Sequence, residues 1–141
     1  MSRRACSLHL LVFLSAFAGA CGGGEPDVDK RPEITVERIG EDLNGERVSV
    51  PAEDGRSEPS SWRFFPSEPK EIEIVEKQLA GNQATIVIEL RTRTSPNAEQ
   101  RGITKRLAGR LRLQYELHSY VAIRRWEIVR LENLTFAYVK E

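Results

Sequence analysis

Four arginines occur at two-residue spacing in two stretches of the chain, Arg91 and Arg93 in IELRTRT and Arg110 and Arg112 in GRLRLQYEL. In an extended chain alternate side chains share a face, so each pair points to one side. Guanidinium groups present a rigid fork of donors that matches carboxylate and phosphate oxygens. If the two stretches neighbour each other in a sheet, the four cations form a shallow site for a lipid headgroup, a glycan acid or an acidic partner, with Arg124 or Arg125 able to join them. The same phases carry Glu71, Glu73, Glu89, Glu116 and Glu127. Opposite charges on facing strands contribute about 0.2 to 1 kcal/mol per pair and protect an exposed sheet from association. The balanced charge favours this second reading, a solvated mixed-sign face.

His118 is the only histidine beyond the first 20 residues, and alternation puts it on the side of Glu116. An imidazole beside a carboxylate can act as a general base. No serine sits in an elbow-like glycine context, however, and no His, Cys, Asp or Glu set has metal-ligand spacing. No catalytic residue, metal or cofactor is therefore expected. The aromatic residues Trp62, Phe64, Tyr115 and Trp126 are the candidates for lining a pocket between helix and sheet, and a small hydrolase or isomerase built on them is the rival reading.

The elements that must position these residues follow from periodicity. Leu111, Leu113, Tyr115 and Leu117 alternate with Arg110, Arg112, Gln114 and Glu116, which is the pattern of a half-buried strand over 107–117. Ile72 and Ile74 alternate with Glu71 and Glu73, a turn at Ala80-Gly81-Asn82 follows, and Ala84, Ile86, Ile88 and Leu90 form a second alternating run. The last strand, over 126–139, changes phase, so a β-bulge is expected near Arg130 to Asn133. Residues 94–105 read as a long polar connection. Upstream, Val36, Ile39 and Leu43 recur at helical spacing between Thr35 and Asn44-Gly45, although Asn-Gly is also a hairpin signal, so 34–50 is helix plus strand or a hairpin. Trp62 and Phe64 share one face of a short strand or bend and plug one end of the core. The expected fold is α+β: a mainly antiparallel, four- to five-stranded twisted meander with one short N-terminal helix packed on its apolar face.

The first 20 residues of the 141 place Arg3 and Arg4 before an apolar run from Leu8 to Ala20, the layout of an export signal. The run is shorter than the roughly 20 apolar residues of a spanning helix. Residues 22–33 combine glycine, proline and charge, as a flexible tether does. The whole chain has 21 basic and 21 acidic residues, and loss of Arg3 and Arg4 with the leader leaves 19 against 21. Bulk attraction to nucleic acid is not indicated. The chain thus divides into a signal peptide over 1–20, a tether over 21–33 and a single globular domain over 34–141. Cys6 falls in the signal, so Cys21 is the one cysteine left.

Ala18-Gly19-Ala20-Cys21 resembles the lipobox of bacterial lipoproteins, with Ala18 where that family usually has leucine. The resemblance implies a diacylglyceryl group and palmitate on Cys21, which becomes the first mature residue. Ordinary signal cleavage and an uncleaved anchor are the alternatives. The same resemblance implies the outer membrane, facing the periplasm, because Gly22 stands where an aspartate would resemble the inner-membrane retention signal. Downstream, ITVERIGEDLNGERV, the W-x-F strand, EIEIVEKQLAGNQATIVIEL and GRLRLQYEL are similar in layout to small cystatin-like or nuclear-transport-factor-two-like lipoprotein domains. Together these readings give an envelope-anchored lipoprotein that serves as a non-catalytic binding or scaffold module. Its partners would be the membrane, through Cys21, and an envelope protein. A purely structural spacer is the further alternative.

Overall fold

A computed structural model describes residues 31–140, so the segments expected to be a signal peptide, a lipobox with Cys21 and most of a tether lie outside the described residues. The elements are α1 (Val36–Leu43), β1 (Arg47–Val50), β2 (Ser60–Arg63), β3 (Lys70–Ala80), β4 (Gln83–Arg93), α2 (Pro96–Gln100), β5 (Arg106–Tyr120), β6 (Ile123–Asn133) and β7 (Ala137–Tyr138). All described pairings are antiparallel. β1 and β2 make a two-stranded sheet, while a five-stranded sheet has the order β3-β4-β5-β6, with β7 also pairing to β5.

Between the helix and hairpin alternatives for 34–50, the structure takes helix followed by strand. The Thr35 hydroxyl accepts from the Arg38 N–H at 3.2 Å, capping α1, and Gly45 takes φ +91° just beyond it, a conformation that glycine adopts without a Cβ penalty. Ile39 and Leu43 are fully buried. They share one hydrophobic cluster with Val50 and Phe64, with Ile86, Ile88 and Leu90 of β4, and with Leu111, Leu113 and Tyr115 of β5.

Alternation sorts the sheet residues as expected. Leu111, Leu113, Tyr115 and Leu117 are buried, whereas Arg110 is exposed and Arg112 half-exposed. Val87 is the exception, being 5 % exposed on the polar face. It pairs with Glu76 on one side and Arg112 on the other, whose methylene stems can cover it.

Three features depart from the expectation. The connection over 94–105 contains α2, started by Ser95, whose hydroxyl accepts from the Ala98 N–H at 3.4 Å, with Pro96 following in the first turn. Bulges occur at two places: Ile74 pairs with Ile88 but Glu76 with Val87, leaving Val75 over, and Gln114 pairs with Arg130 but Tyr115 with Ile128, leaving Val129 over. The second lies one residue before the predicted 130–133 window. Finally, the strand expected over 126–139 is two strands. β6 stops at Asn133, residues 134–136 step out, and β7 rejoins β5 at Leu107 and Ala108.

The step at 134–136 is fixed by Asn133 and Gly109. The Asn133 amide donates to Ser49 O at 2.7 Å and Phe136 O at 2.8 Å, while its oxygen accepts from the Phe136 N–H at 2.7 Å. The Asn133 side-chain amide is therefore fully engaged. The crossing passes directly over Gly109, which has φ +143° and no room for a Cβ.

Glu68, 8 % exposed, has one carboxylate oxygen without a hydrogen-bond partner, and the same holds for the half-buried Trp62 Nε1. Burial raises the Glu68 carboxyl above the usual carboxylate range, against the smaller opposing pulls of the Phe65 backbone, the Lys70 charge and the neighbouring Trp62 indole, which lies outside good hydrogen-bond geometry. A carboxyl with its folded-state pKa raised contributes most below its unfolded value, and this contribution is lost as pH rises through the folded value. Glu68→Gln is therefore expected to raise the Tm relative to the parent at pH 8 and to lose that advantage near pH 4. A Tm difference that is the same at both pH values would show that Glu68 does not titrate in this way.

Candidate functional site

The five-stranded sheet has one face in the core and one polar face, and the arginines flagged by spacing lie on the polar face at different heights. Register places Glu89 opposite Arg110 and Glu132 opposite Arg112. The Arg110 Nε lies 3.0 Å from Glu89 Oε2, and the Arg112 Nη1 lies 2.6 Å from Glu132 Oε2. These two arginines are tied into the cross-strand ladder, each pair being worth about 0.2 to 1 kcal/mol. The mixed-sign reading thus describes the middle of the face.

The upper end differs. Arg93, near the end of β4, stands directly opposite Arg106, at the start of β5, and Arg91 lies two residues below on the same face. The three guanidinium-bearing residues border one groove of about 640 Å³ whose apolar walls include Pro69, Leu107 and Val139. Like charges directly opposite in a ladder repel. Glu99 of α2 offsets part of this, with its Oε1 3.6 Å from the Arg93 Nε. Glu71, opposite Arg91, contributes one acidic group to the lining.

The groove is held by backbone and loop geometry. The Arg106 carbonyl accepts from the Val139 N–H at 2.9 Å, bringing the segment after β7 against the start of β5. Just past Arg93 and Arg106, the Thr94 N–H donates to Lys105 O at 3.0 Å and its hydroxyl to Ile103 O at 2.9 Å, which fixes the ends of the two strands. The site can therefore seat an anionic group in bidentate fashion with an apolar portion beside it.

Sequence spacing located Arg91 and Arg93 but not Arg106. The signal was present, because Arg106, Ala108, Arg110 and Arg112 continue one two-residue phase backwards along β5. Val139 could not be found in this way, since its place depends on the step at 134–136.

His118 lies at the opposite end of the sheet. Its Nε2 is 3.7 Å from Glu116 Oε1, and its ring stacks on Tyr120 with centroids 6.5 Å apart. The structure does not bring it together with Arg91 and Arg93.

The four aromatic candidates do not share a cavity wall. Phe64 is fully buried and packs at a tilt against Phe136, with ring centroids 6.0 Å apart. Tyr115 donates its hydroxyl to Asp42 Oδ2 at 3.1 Å, and burial, aided by that carboxylate, raises its pKa well above the usual phenol value. Trp126, 3 % exposed, donates its indole N–H to Pro32 O at 2.8 Å. Trp62 is half-buried and meets Tyr138 edge-on at 6.2 Å. The shallow groove near Gln83 and Gln114 reaches only Tyr115 of the four.

Among the described residues, no group of three His, Cys, Asp or Glu side chains is placed to hold a metal ion, and no helix is long and apolar enough to cross a membrane. Comparison with known protein families, with curated proteins and with solved structures gives no match for the chain.

Proposed function

We propose that the chain is an exported lipoprotein, anchored through acyl groups on Cys21 at the outer membrane and facing the periplasm. Its domain is a non-catalytic binding module that receives an anionic group in the groove at Arg91, Arg93 and Arg106. The observation that carries this reading is the convergence of three arginines from two neighbouring strand ends on one groove of about 640 Å³ with apolar walls. A covalent anchor needs no apolar patch on the domain, since each buried methylene of an acyl chain contributes about 0.8 kcal/mol. That leaves the groove open for an envelope partner or ligand carrying a carboxylate or phosphate.

Helix α1 belongs to this design as a cover on the apolar face of the sheet, in the manner of the small cystatin-like lipoprotein domains that the layout resembles. The burial of Ile39 and Leu43, the approach of Gly40 to Ile72 and the Asp42–Tyr115 hydrogen bond support it.

Titration calorimetry with phosphorylated and carboxylated amphiphiles, compared with uncharged analogues, tests the groove. Arg91→Ala combined with Arg106→Ala is expected to weaken anion binding by on the order of 100-fold, as two charge-assisted contacts are lost. Arg110→Ala, removing a ladder arginine, is expected to leave binding within about threefold. Equal losses from both changes, or no anion binding by the parent chain, would sink the assignment. The anchor is tested separately: the parent chain is expected to take up a fatty-acid label in cells, and Cys21→Ser to take up none.

A further inference from the structure

The β5–β6 hairpin extends past the rest of the sheet. β4 pairs with β5 only as far as Gln83 opposite Glu116, and the Leu117 N–H reaches Asn82 O at 2.7 Å. Beyond that point His118 pairs with Arg125, Ser119 with Arg124 and Tyr120 with Ile123, and among the described residues no third strand accompanies them. At roughly 3.3 Å per residue these three pairs and their turn form a finger about 10 Å or more in length.

The tip of this finger is apolar. Val121 is 108 % exposed, Ile123 63 % and Tyr120 51 %. Isolated exposed apolar residues are ordinary, but here Tyr120 pairs with Ile123 and Val121 lies in the turn that joins them. Turn chemistry gives no reason for them. The β3–β4 turn at the same end uses Gly81-Asn82, with Gly81 at φ +62°, whereas the β5–β6 turn uses Val121-Ala122. Arg124 and Arg125 stand immediately behind the tip, and the Tyr120 hydroxyl donates to Glu127 Oε2 at 2.6 Å, holding the ring along the finger. An apolar point, a phenol ring and then two guanidinium groups match, in order of depth, the acyl boundary, the interface and the phosphates of an anionic bilayer.

A second, independent observation gives the direction. The Trp126 indole N–H donates to Pro32 O at 2.8 Å, and Trp126 pairs with Leu117 at the base of the finger. Lys77 Nζ donates to Ile34 O at 3.1 Å beside it. The described domain therefore begins, at Pro32, at its finger end. Only ten residues separate Cys21 from Pro32. Ten residues reach at most about 33 to 36 Å, so an anchored Cys21 would keep the finger end of the domain near the bilayer. The arginine groove lies at the other end of the same strands.

We infer that the β5–β6 finger is a second membrane contact, its tip at Tyr120, Val121 and Ile123 entering the interface of an anionic bilayer while Arg124 and Arg125 engage lipid phosphates. The inference rests on the lipid anchor proposed above for its direction. It holds the domain upright, with the groove at Arg91, Arg93 and Arg106 facing away from the membrane.

The test uses the full chain, isolated from membranes and reconstituted into vesicles containing phosphatidylglycerol, with Val121→Trp as a local reporter at a fully exposed position. Relative to the parent chain, the added emission is expected to shift to the blue and to fall about twofold in vesicles of brominated lipid. Most of that quenching is expected to disappear in phosphatidylcholine vesicles, or when Arg124→Glu and Arg125→Glu are added. If the chain floats with vesicles but Val121→Trp is not quenched, the finger proposal is overturned and the anchor stands. Quenching that persists in a Cys21→Ser chain supports a finger that binds without the anchor, whereas a parent chain that is quenched but carries no fatty-acid label supports the finger and overturns the anchor. A chain that does not float overturns both. An unquenched tip that instead crosslinks to an envelope protein assigns the finger to a protein partner and overturns the bilayer contact.

Discussion

Gly109→Ala is expected to destabilise the domain by about 4 kcal/mol or more, one of the largest effects available to a single added methyl group. A Cβ at this position would lie 2.2 Å from Thr135 O and 2.5 Å from Phe136 Cα. Both contacts are with backbone, so no side-chain rotation relieves them. The φ of +143° adds strain that an L side chain bears at about 1 to 3 kcal/mol. The only escape is to lift residues 134–136 away from β5. That would unpair β7 from Leu107 and Ala108 and withdraw Val139 from the arginine groove. The Tm is expected to fall by on the order of 15 °C or more, with loss of hydrogen-exchange protection at the Val139 amide and of anion binding at the groove. A Tm within about 2 °C of the parent would show that the crossing relaxes freely and that Gly109 does not hold it.

Phe136→Ala is expected to cost about 3 to 5 kcal/mol. Phe136 is fully buried, although it belongs to the short step between β6 and β7 rather than to a strand, and its ring packs against Phe64. The Asn133 side chain holds the Phe136 backbone on both its N–H and its C=O, so the segment cannot easily collapse into the space that an alanine leaves. Phe136→Leu, which keeps most of the volume, is expected to lose about 1.5 kcal/mol or less. Because Gly109→Ala already displaces the segment that seats Phe136, the two changes combined are expected to fall short of the sum of their separate effects. Denaturant midpoints of the two single variants and the double variant measure this, and strict additivity would mean that the crossing and the Phe136 socket are independent.

These two residues show where sequence reading stops. Gly109 opens the stretch that carries the strongest alternation, yet nothing local marks it as the point over which another segment must cross. Phe136 looked like one member of a continuous strand with Leu134 and Tyr138. The interruption of that strand is made by the Asn133 side chain, which binds Phe136 three residues on and Ser49 across the fold, and by the contact of residues 135 and 136 with Gly109, more than 20 residues away. The candidate site divides in the same way. Arg91 and Arg93 were legible as a pair, but alternation could not distinguish arginines with a glutamate across the ladder from arginines facing another arginine, because that depends on register.

What the sequence by itself determined is the assignment of side chains to layers. Alternation in 71–74, 84–90 and 110–117, the Thr35 cap and the Gly81 turn are properties of adjacent residues, and burying the apolar half of a pleated strand leaves only one orientation. Tertiary structure decided how far each strand runs beside its neighbour: the ladder pairs at Arg110 and Arg112, the Arg93–Arg106 opposition that opens the groove, the crossing at Gly109 and the overhang of the β5–β6 finger. Each of these is set by pairing between distant segments. The free energy of such pairing comes from the whole buried face rather than from any local pattern, so the strand sequences alone do not contain it.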